Sequence, residues 1–297
     1  MKKEMKKLLT LLLCWGMLAG CQITPEEKEK QIAEETMGAC CTKKHDFAGL
    51  MPFTHDLSFI AAHDEPIAFE FKSQFGGEKI TFDCPDGQKA NAFFIKSAKK
   101  SNKYLFVFHE WWGLNEHIMK ESEKYYAALG NVNIIAIDLY DGQVATTRED
   151  AAKYMQGAKP ERLKAIVQGA ITYVGEKAKI ATVGWCFGGG MSLQASILAQ
   201  AQSLACVIYY GMPEKDTEKL KNLQAEVLGI FAGKEKWINT EVVKEFETNL
   251  TTLGKKFSTK IYDAEHAFAN PSNPNYNKAF ADEAFEMSIN FIKQKLK

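Results

Sequence analysis

Neither sign of charge dominates this chain of 297 residues: Lys and Arg together number 37, and so do Asp and Glu. A balanced chain carries no electrostatic footprint for nucleic acid, so none is expected as a partner. The seven cysteines include no CxxC pair, which removes the usual zinc-ribbon spacing. No His-Glu-x-x-His occurs either, because His109-Glu110 is followed by Gly113 where a zincin would place its second histidine. Neither a metal nor a cofactor is expected. Internal repeats and low-complexity tracts are missing too. The apolar run over residues 8–18 is too short to span a bilayer. What remains is 46% apolar and 25% charged, the balance of a water-soluble body with a sizeable core.

The first residues read as an export signal. Lys2, Lys3, Lys6 and Lys7 precede the apolar run, and the run ends in Leu18-Ala19-Gly20-Cys21. This resembles a bacterial lipoprotein signal, which implies removal of residues 1–20 and a lipid on Cys21. The protein would then be exported and anchored in the cell envelope, with the membrane as a partner. Residues 21–65 read as a polar tether, beginning with Pro25-Glu26-Glu27-Lys28-Glu29-Lys30. Cys40 and Cys41 are adjacent, with no pairing assigned to them or to Cys84 and Cys206. His45, His55 and His63 are dispersed without ligand spacing and read as surface or core histidines.

From residue 66 to 297 the pattern is that of one catalytic-type domain. Residues 67–71, 79–83 and 90–95 are short, partly alternating runs separated by Gly76-Gly77 and Pro85-Asp86-Gly87, as in antiparallel strands. Beyond them strands and helices alternate. Buried strands are expected over 104–108, 132–137, 179–182, 204–210, 225–231 and 256–262. Helices are expected over 116–129, 148–156, 160–176, 191–199, 240–253 and 275–295. Alternation of this kind gives an α/β fold, a mostly parallel central sheet with helices on both faces.

Val183-Gly184-Trp185-Cys186-Phe187-Gly188-Gly189-Gly190 stands between a strand and a helix. Gly-x-nucleophile-x-Gly in that setting is a nucleophile elbow, with Cys186 where serine is usual. The competing reading is a tight turn holding an inert cysteine. Sites in α/β sheets form beyond the carboxyl ends of strands, so residues just past each strand bear on the choice. Those positions hold Glu110, Glu235 and His266. Cys186, Glu235 and His266 follow the chain order of an α/β-hydrolase triad. His266 would take and return the thiol proton, and Glu235 would orient the imidazole, with Asp263 as the other candidate acid. The backbone N–H groups of Trp111 and Phe187 would form an oxyanion hole. Trp112 would line an apolar pocket, and His117 would sit at its rim or serve the fold.

Taken together, Gly184-Trp185-Cys186-Phe187-Gly188-Gly189, Glu110-Trp111-Trp112-Gly113-Leu114-Asn115, Asp138-Leu139-Tyr140 and His266-Ala267-Phe268 resemble the dienelactone hydrolase family of the α/β-hydrolase fold. The resemblance runs over residues 66–295. It implies a cysteine-nucleophile hydrolase of small esters or lactones working through a thioester acyl-enzyme. It also implies that Glu110 contacts the thiol and takes its proton when substrate binds. Two departures stand out. Glu235 replaces the family's aspartate. Of two arginines that hold a substrate carboxylate in characterised members, Arg148 matches one, but Asn270 replaces the other, which argues against dienelactone itself. The alternatives are a catalytically impaired binding lipoprotein, or a peptidase or thioesterase on the same fold.

Overall fold

The computed structural model describes residues 49–297, which fall in one compact unit. The expected signal, Cys21, most of the tether, and Cys40 and Cys41 lie outside the described residues. Among the described residues no helix is long and apolar enough to cross a membrane.

Eight strands form one sheet: β1 (Glu78–Asp83), β2 (Lys89–Ile95), β3 (Lys103–Phe108), β4 (Asn133–Ile137), β5 (Lys179–Trp185), β6 (Ser203–Tyr209), β7 (Glu226–Ala232) and β8 (Phe257–Tyr262). Their order is β1-β2-β4-β3-β5-β6-β7-β8. β1 and β2 pair antiparallel, as do β2 and β4; every pairing from β4 onward is parallel. All five residues of β4 are buried: Ile134, Ile135, Ala136 and Ile137 are the apolar run expected inside a sheet covered on both faces, and Asn133 at its start is satisfied by Ser97 N and the carbonyls of Ser101 and Lys103. The chain folds as the α/β-hydrolase sheet that its strand–helix alternation announces.

Crossover helices are fixed at their starts by local chemistry. Asn115 caps Glu116–Leu129 by accepting from Ile118 N at 3.2 Å, and Asn239 caps Thr240–Thr252 by accepting from Val242 N at 3.1 Å. The closing helix, Lys278–Lys295, starts later than residue 275 because Asn277 is its cap, bonded to Phe280 N at 3.1 Å.

Two stretches differ from the expectation. Residues 67–71 join no strand. Ile67 O instead accepts from His117 Nε2 at 2.8 Å, and the rings of Phe69 and Phe71 lie against His117 and Phe93. An extended chain can seat alternate side chains without forming a ladder. Second, residues 49–65 are folded onto the body rather than forming part of a tether. They comprise a 3-10 turn, Met51–His55, and a one-turn helix, Leu57–Ala61, with Leu50 and Phe59 fully buried. The folded body therefore includes residues before position 66.

Parallel pairing brings the carboxyl ends of β3, β5, β6, β7 and β8 to one edge. Phe108 lies opposite Gly184, Trp185 opposite Tyr209, Tyr209 opposite Ile230, and Ala232 opposite Tyr262. Side chains one to four residues past those strand ends can therefore meet there.

Candidate active site

Cys186 sits at the junction of β5 and the helix Phe187–Ala199, with φ 54° and ψ −120°. This is strained backbone for a side-chain-bearing residue, of the kind that clusters at functional sites. The flanking glycines are required by close approach. A Cβ on Gly184 would stand 2.0 Å from Gly188 O, and one on Gly188 would stand 2.3 Å from His109 O and Phe108 O. The helix thus begins at residue 187, not 191, which directs the Phe187 N–H toward the sulfur.

His266 follows β8 and is 2% exposed. Its Nδ1 lies 2.8 Å from Oε1 of Glu235, whose side chain is wholly buried. The distance is that of an ion pair, but the geometry is not that of a well-directed hydrogen bond, and Glu235 Oε2 has no partner. Glu235 is set by its turn: Gly233 N donates to Tyr262 O at 2.7 Å and Lys234 N to Ala264 O at 3.0 Å. Asp263 faces outward, paired with Lys234 at 3.1 Å, so Glu235 is the carboxylate within reach of His266. Burial opposes charge on His266, yet the Glu235 carboxylate and the sulfur beside it hold the imidazole above its usual value. Burial pushes the Cys186 thiol up, against the pull of His266 and the Phe187 N–H.

Glu110 lies two residues past β3. Asn270 Nδ2 donates to its Oε2 at 2.5 Å, while Oε1 is buried without a partner. Burial raises its carboxyl to about 7, against the pull of His266 and the Asn270 amide. His109, just before it, belongs to the scaffold: Leu139 N donates to its Nε2 at 3.0 Å, and its Nδ1 meets Glu110 O at 2.5 Å.

A cavity of about 190 Å³ opens beside Glu110. Trp112, Trp185, Tyr210, Phe69 and Ile67 supply its apolar lining, and Asn270, His117, Lys120, Glu121 and Lys124 line it with polar or charged groups. Trp111 points the other way, its ring buried 4.6 Å from that of His63 and its indole Nε1 without a partner.

Arg148 does not face this cavity. Its Nε donates to His63 O at 2.6 Å and its terminal amine pairs with Asp64. The expected carboxylate contact thus gives way to a clamp on residues 63 and 64, and Asn270 is engaged by Glu110.

His63 is the residue that sequence reasoning passed over. It is 4% exposed, with Nε2 3.7 Å from Cys186 Sγ. Nδ1 lies 2.7 Å from Phe59 O, an acceptor, so this nitrogen carries the proton and Nε2 presents a lone pair to the sulfur. Burial, and then the charge on His266, lower its pKa to about 3. Phe59 supports it, ring centroids 4.5 Å apart, and also packs on Trp111 and Trp237. Asp56 fastens the segment by accepting from Trp237 Nε1 at 3.1 Å. A lone histidine with no partner at ligand spacing gave no signal; Asp56-Leu57-Ser58, a helix cap, was the nearest cue.

Residues 91–296 match the family model described as Dienelactone hydrolase family. The chain belongs to the dienelactone hydrolase family. A protein of Aquifex aeolicus (strain VF5), provisionally named a carboxymethylenebutenolidase, is 27% identical over 233 residues, 74% of this chain and 100% of that protein. The carboxymethylenebutenolidase of Pseudomonas sp. (strain P51) is 22% identical over 231 residues, 73% of this chain and 95% of that enzyme. Among solved structures, a dienelactone hydrolase-like promiscuous phosphotriesterase from metagenomic libraries shares the fold. Its TM-score is 0.64 at 18% identity, covering 74% of this chain and 98% of that one. Family and relatives place this chain among the hydrolases of carboxylic esters and lactones. Residue 63 lies outside the span matched by the family.

Proposed function

We propose that this dienelactone hydrolase family member cleaves small esters or lactones with Cys186 as nucleophile, through a thioester acyl-enzyme. The observation that carries the reading is the strained elbow of Cys186 beside the His266–Glu235 pair. Substrate in the cavity brings its carbonyl to the sulfur, and the Glu110 carboxylate takes the thiol proton. The thiolate attacks, and the N–H groups of Phe187 and Trp111 hold the developing oxyanion. His266, charged by virtue of Glu235, protonates the leaving alkoxide as the carbon–oxygen bond breaks. The neutral imidazole then draws a proton from water, whose hydroxide cleaves the thioester. Glu110 returns the first proton to the sulfur, which restores the resting thiol.

A neutral thiol at rest suits an exported enzyme, since the thiolate is the form most readily oxidised. With Arg148 held by residues 63 and 64 and Asn270 bonded to Glu110, neither matched position clamps a substrate carboxylate, and the cations that line the cavity are Lys120 and Lys124. Anchoring through Cys21 in the cell envelope belongs to the same proposal and rests on the sequence of residues 1–21 alone.

The test is turnover of a panel of aryl esters and lactones by Cys186→Ala and Cys186→Ser. Loss of about 10³-fold or more in kcat is expected for the alanine variant, the scale of removing a nucleophile. Full activity in that variant would end the reading.

A further inference from the structure

Three buried side chains from distant parts of the sequence converge at the elbow. His63 comes from the folded segment ahead of β1, Cys186 from the elbow, and His266 from the loop after β8. Each offers one ligand atom, and these atoms all lie within 4.8 Å of one another with every residue buried. We propose that they form a three-ligand site for a borderline-soft divalent cation, Zn²⁺ being the natural fit, whose binding reversibly blocks the nucleophile.

Both histidines are set up as ligands. A metal-bound imidazole characteristically donates its second ring N–H to a carboxylate or a backbone carbonyl, which fixes its orientation and raises its basicity. His63 Nδ1 donates to Phe59 O at 2.7 Å, and His266 Nδ1 has the Glu235 carboxylate behind it at ion-pair distance, 2.8 Å. The nitrogens left over face the sulfur: His63 Nε2 is 3.7 Å from Sγ, and His266 Nε2 is buried without a hydrogen-bond partner. Tetrahedral zinc bound by thiolate and imidazole holds its donors roughly 3.4–3.6 Å apart. The His63–Cys186 pair is close to that spacing already, and no pair of donors is more than 4.8 Å apart, so a modest inward shift completes the set. Phe59 and the Arg148 clamp hold His63 in place.

The donor set decides the cation. One sulfur and two imidazole nitrogens suit Zn²⁺ and its neighbours, not the oxygen-seeking Ca²⁺ or Mg²⁺. On binding, the Cys186 S–H bond and the Nε2–H bond of the His266 imidazolium break, both protons leave to buffer, and a sulfur–metal bond forms. The two imidazoles, His63 already neutral and His266 now neutral, give lone pairs, and no electrons are transferred. The bound metal occupies the sulfur lone pair and the His266 nitrogen that hydrolysis requires. That blocking effect, unlike the binding, rests on the catalytic reading of Cys186 and His266. His63 is the residue that makes the site, and it lies outside the family-matched residues 91–296.

The test is titration of the full, chelator-dialysed protein with Co²⁺ as a spectroscopic stand-in, followed by displacement with Zn²⁺. One equivalent should bind, with a sulfur-to-cobalt charge-transfer band in the near ultraviolet that is missing in Cys186→Ser. His63→Ala and His63→Gln should each weaken binding by more than the roughly 10–100-fold expected for losing a group behind a ligand, as in Glu235→Gln. Zn²⁺ should inhibit aryl-ester hydrolysis over the concentration range in which it binds, and chelator should restore turnover. A silent cobalt spectrum in an active, metal-free enzyme overturns the site and leaves the hydrolase reading intact, as does binding that neither His63 variant weakens. Stoichiometric binding lost in both His63 variants, in a protein inactive on every ester, upholds the site and overturns the hydrolase reading instead.

Discussion

Burial of Glu110 raises its carboxyl from 4.5 to about 7, and that one shift sets two opposed pH trends. As a proton acceptor it must be ionised, so kcat/KM should rise as pH increases through about 7, and Glu110→Gln should lose that limb of the profile along with most activity. Stability runs the other way. A carboxyl with a raised folded pKa costs nothing below 4.5, costs more as pH rises toward 7, and thereafter costs about 3 kcal/mol. Glu110→Gln should therefore raise Tm at pH 8 but not at pH 4, as thermal unfolding would show. A wild-type Tm that does not depend on Glu110 at either pH would contradict the burial argument. Cys186, Glu235 and His266 were legible because each is a chemically telling residue just past a buried strand. His63 was not, since its role depends on a tertiary contact across 123 positions. The use of Arg148 was hidden for the same reason: sequence supplies the cation but not which carbonyl it meets.

At the scale of elements, the segment 49–65 departs most from the tether expected of residues 21–65. It is itself rich in apolar residues, with Leu50 and Phe59 buried and Leu57 left exposed, but averaged with the charged stretch 25–30 it reads as a tether where a buried aromatic makes a structural element. Phe59→Ala should destabilise the protein by about 3 kcal/mol or more, the range for emptying a buried phenylalanine site. It should also speed alkylation of Cys186 by iodoacetamide, because the side chain is 1% exposed under this cover. Arg148→Ala should speed alkylation too, with a smaller loss of Tm, by releasing the clamp at His63 and Asp64. Unchanged alkylation rates in both variants would show that the segment does not guard the sulfur. Strands β3 to β7 were readable because a parallel sheet covered on both faces writes largely apolar runs, whereas β8, an edge strand, was placed by the alternation of strand and helix. Residues 67–71 misled because alternation reports which side chains are seated, not whether a backbone ladder forms.

For the whole molecule, strand–helix alternation was enough to give the fold class, and the sheet order adds the convergence of strand ends that no linear pattern spells out. The proposed anchoring is tested at this scale. Cys21→Ser should shift the protein from the membrane fraction to the soluble fraction of its host while its ester hydrolysis stays near wild type, because the catalytic body is complete without the lipid. Retention in the membrane fraction would contradict it. The account turns, however, on the chemistry at the elbow. Rapid acid quench of the protein during turnover of a slow aryl ester, with peptide mass spectrometry of the quenched sample, tests it most directly. The expected result is one acyl group, as a thioester on Cys186, that is missing in Cys186→Ala and accumulates when His266 is replaced by Gln. Steady turnover with the acyl group on another residue, or undiminished in Cys186→Ala, would contradict the account.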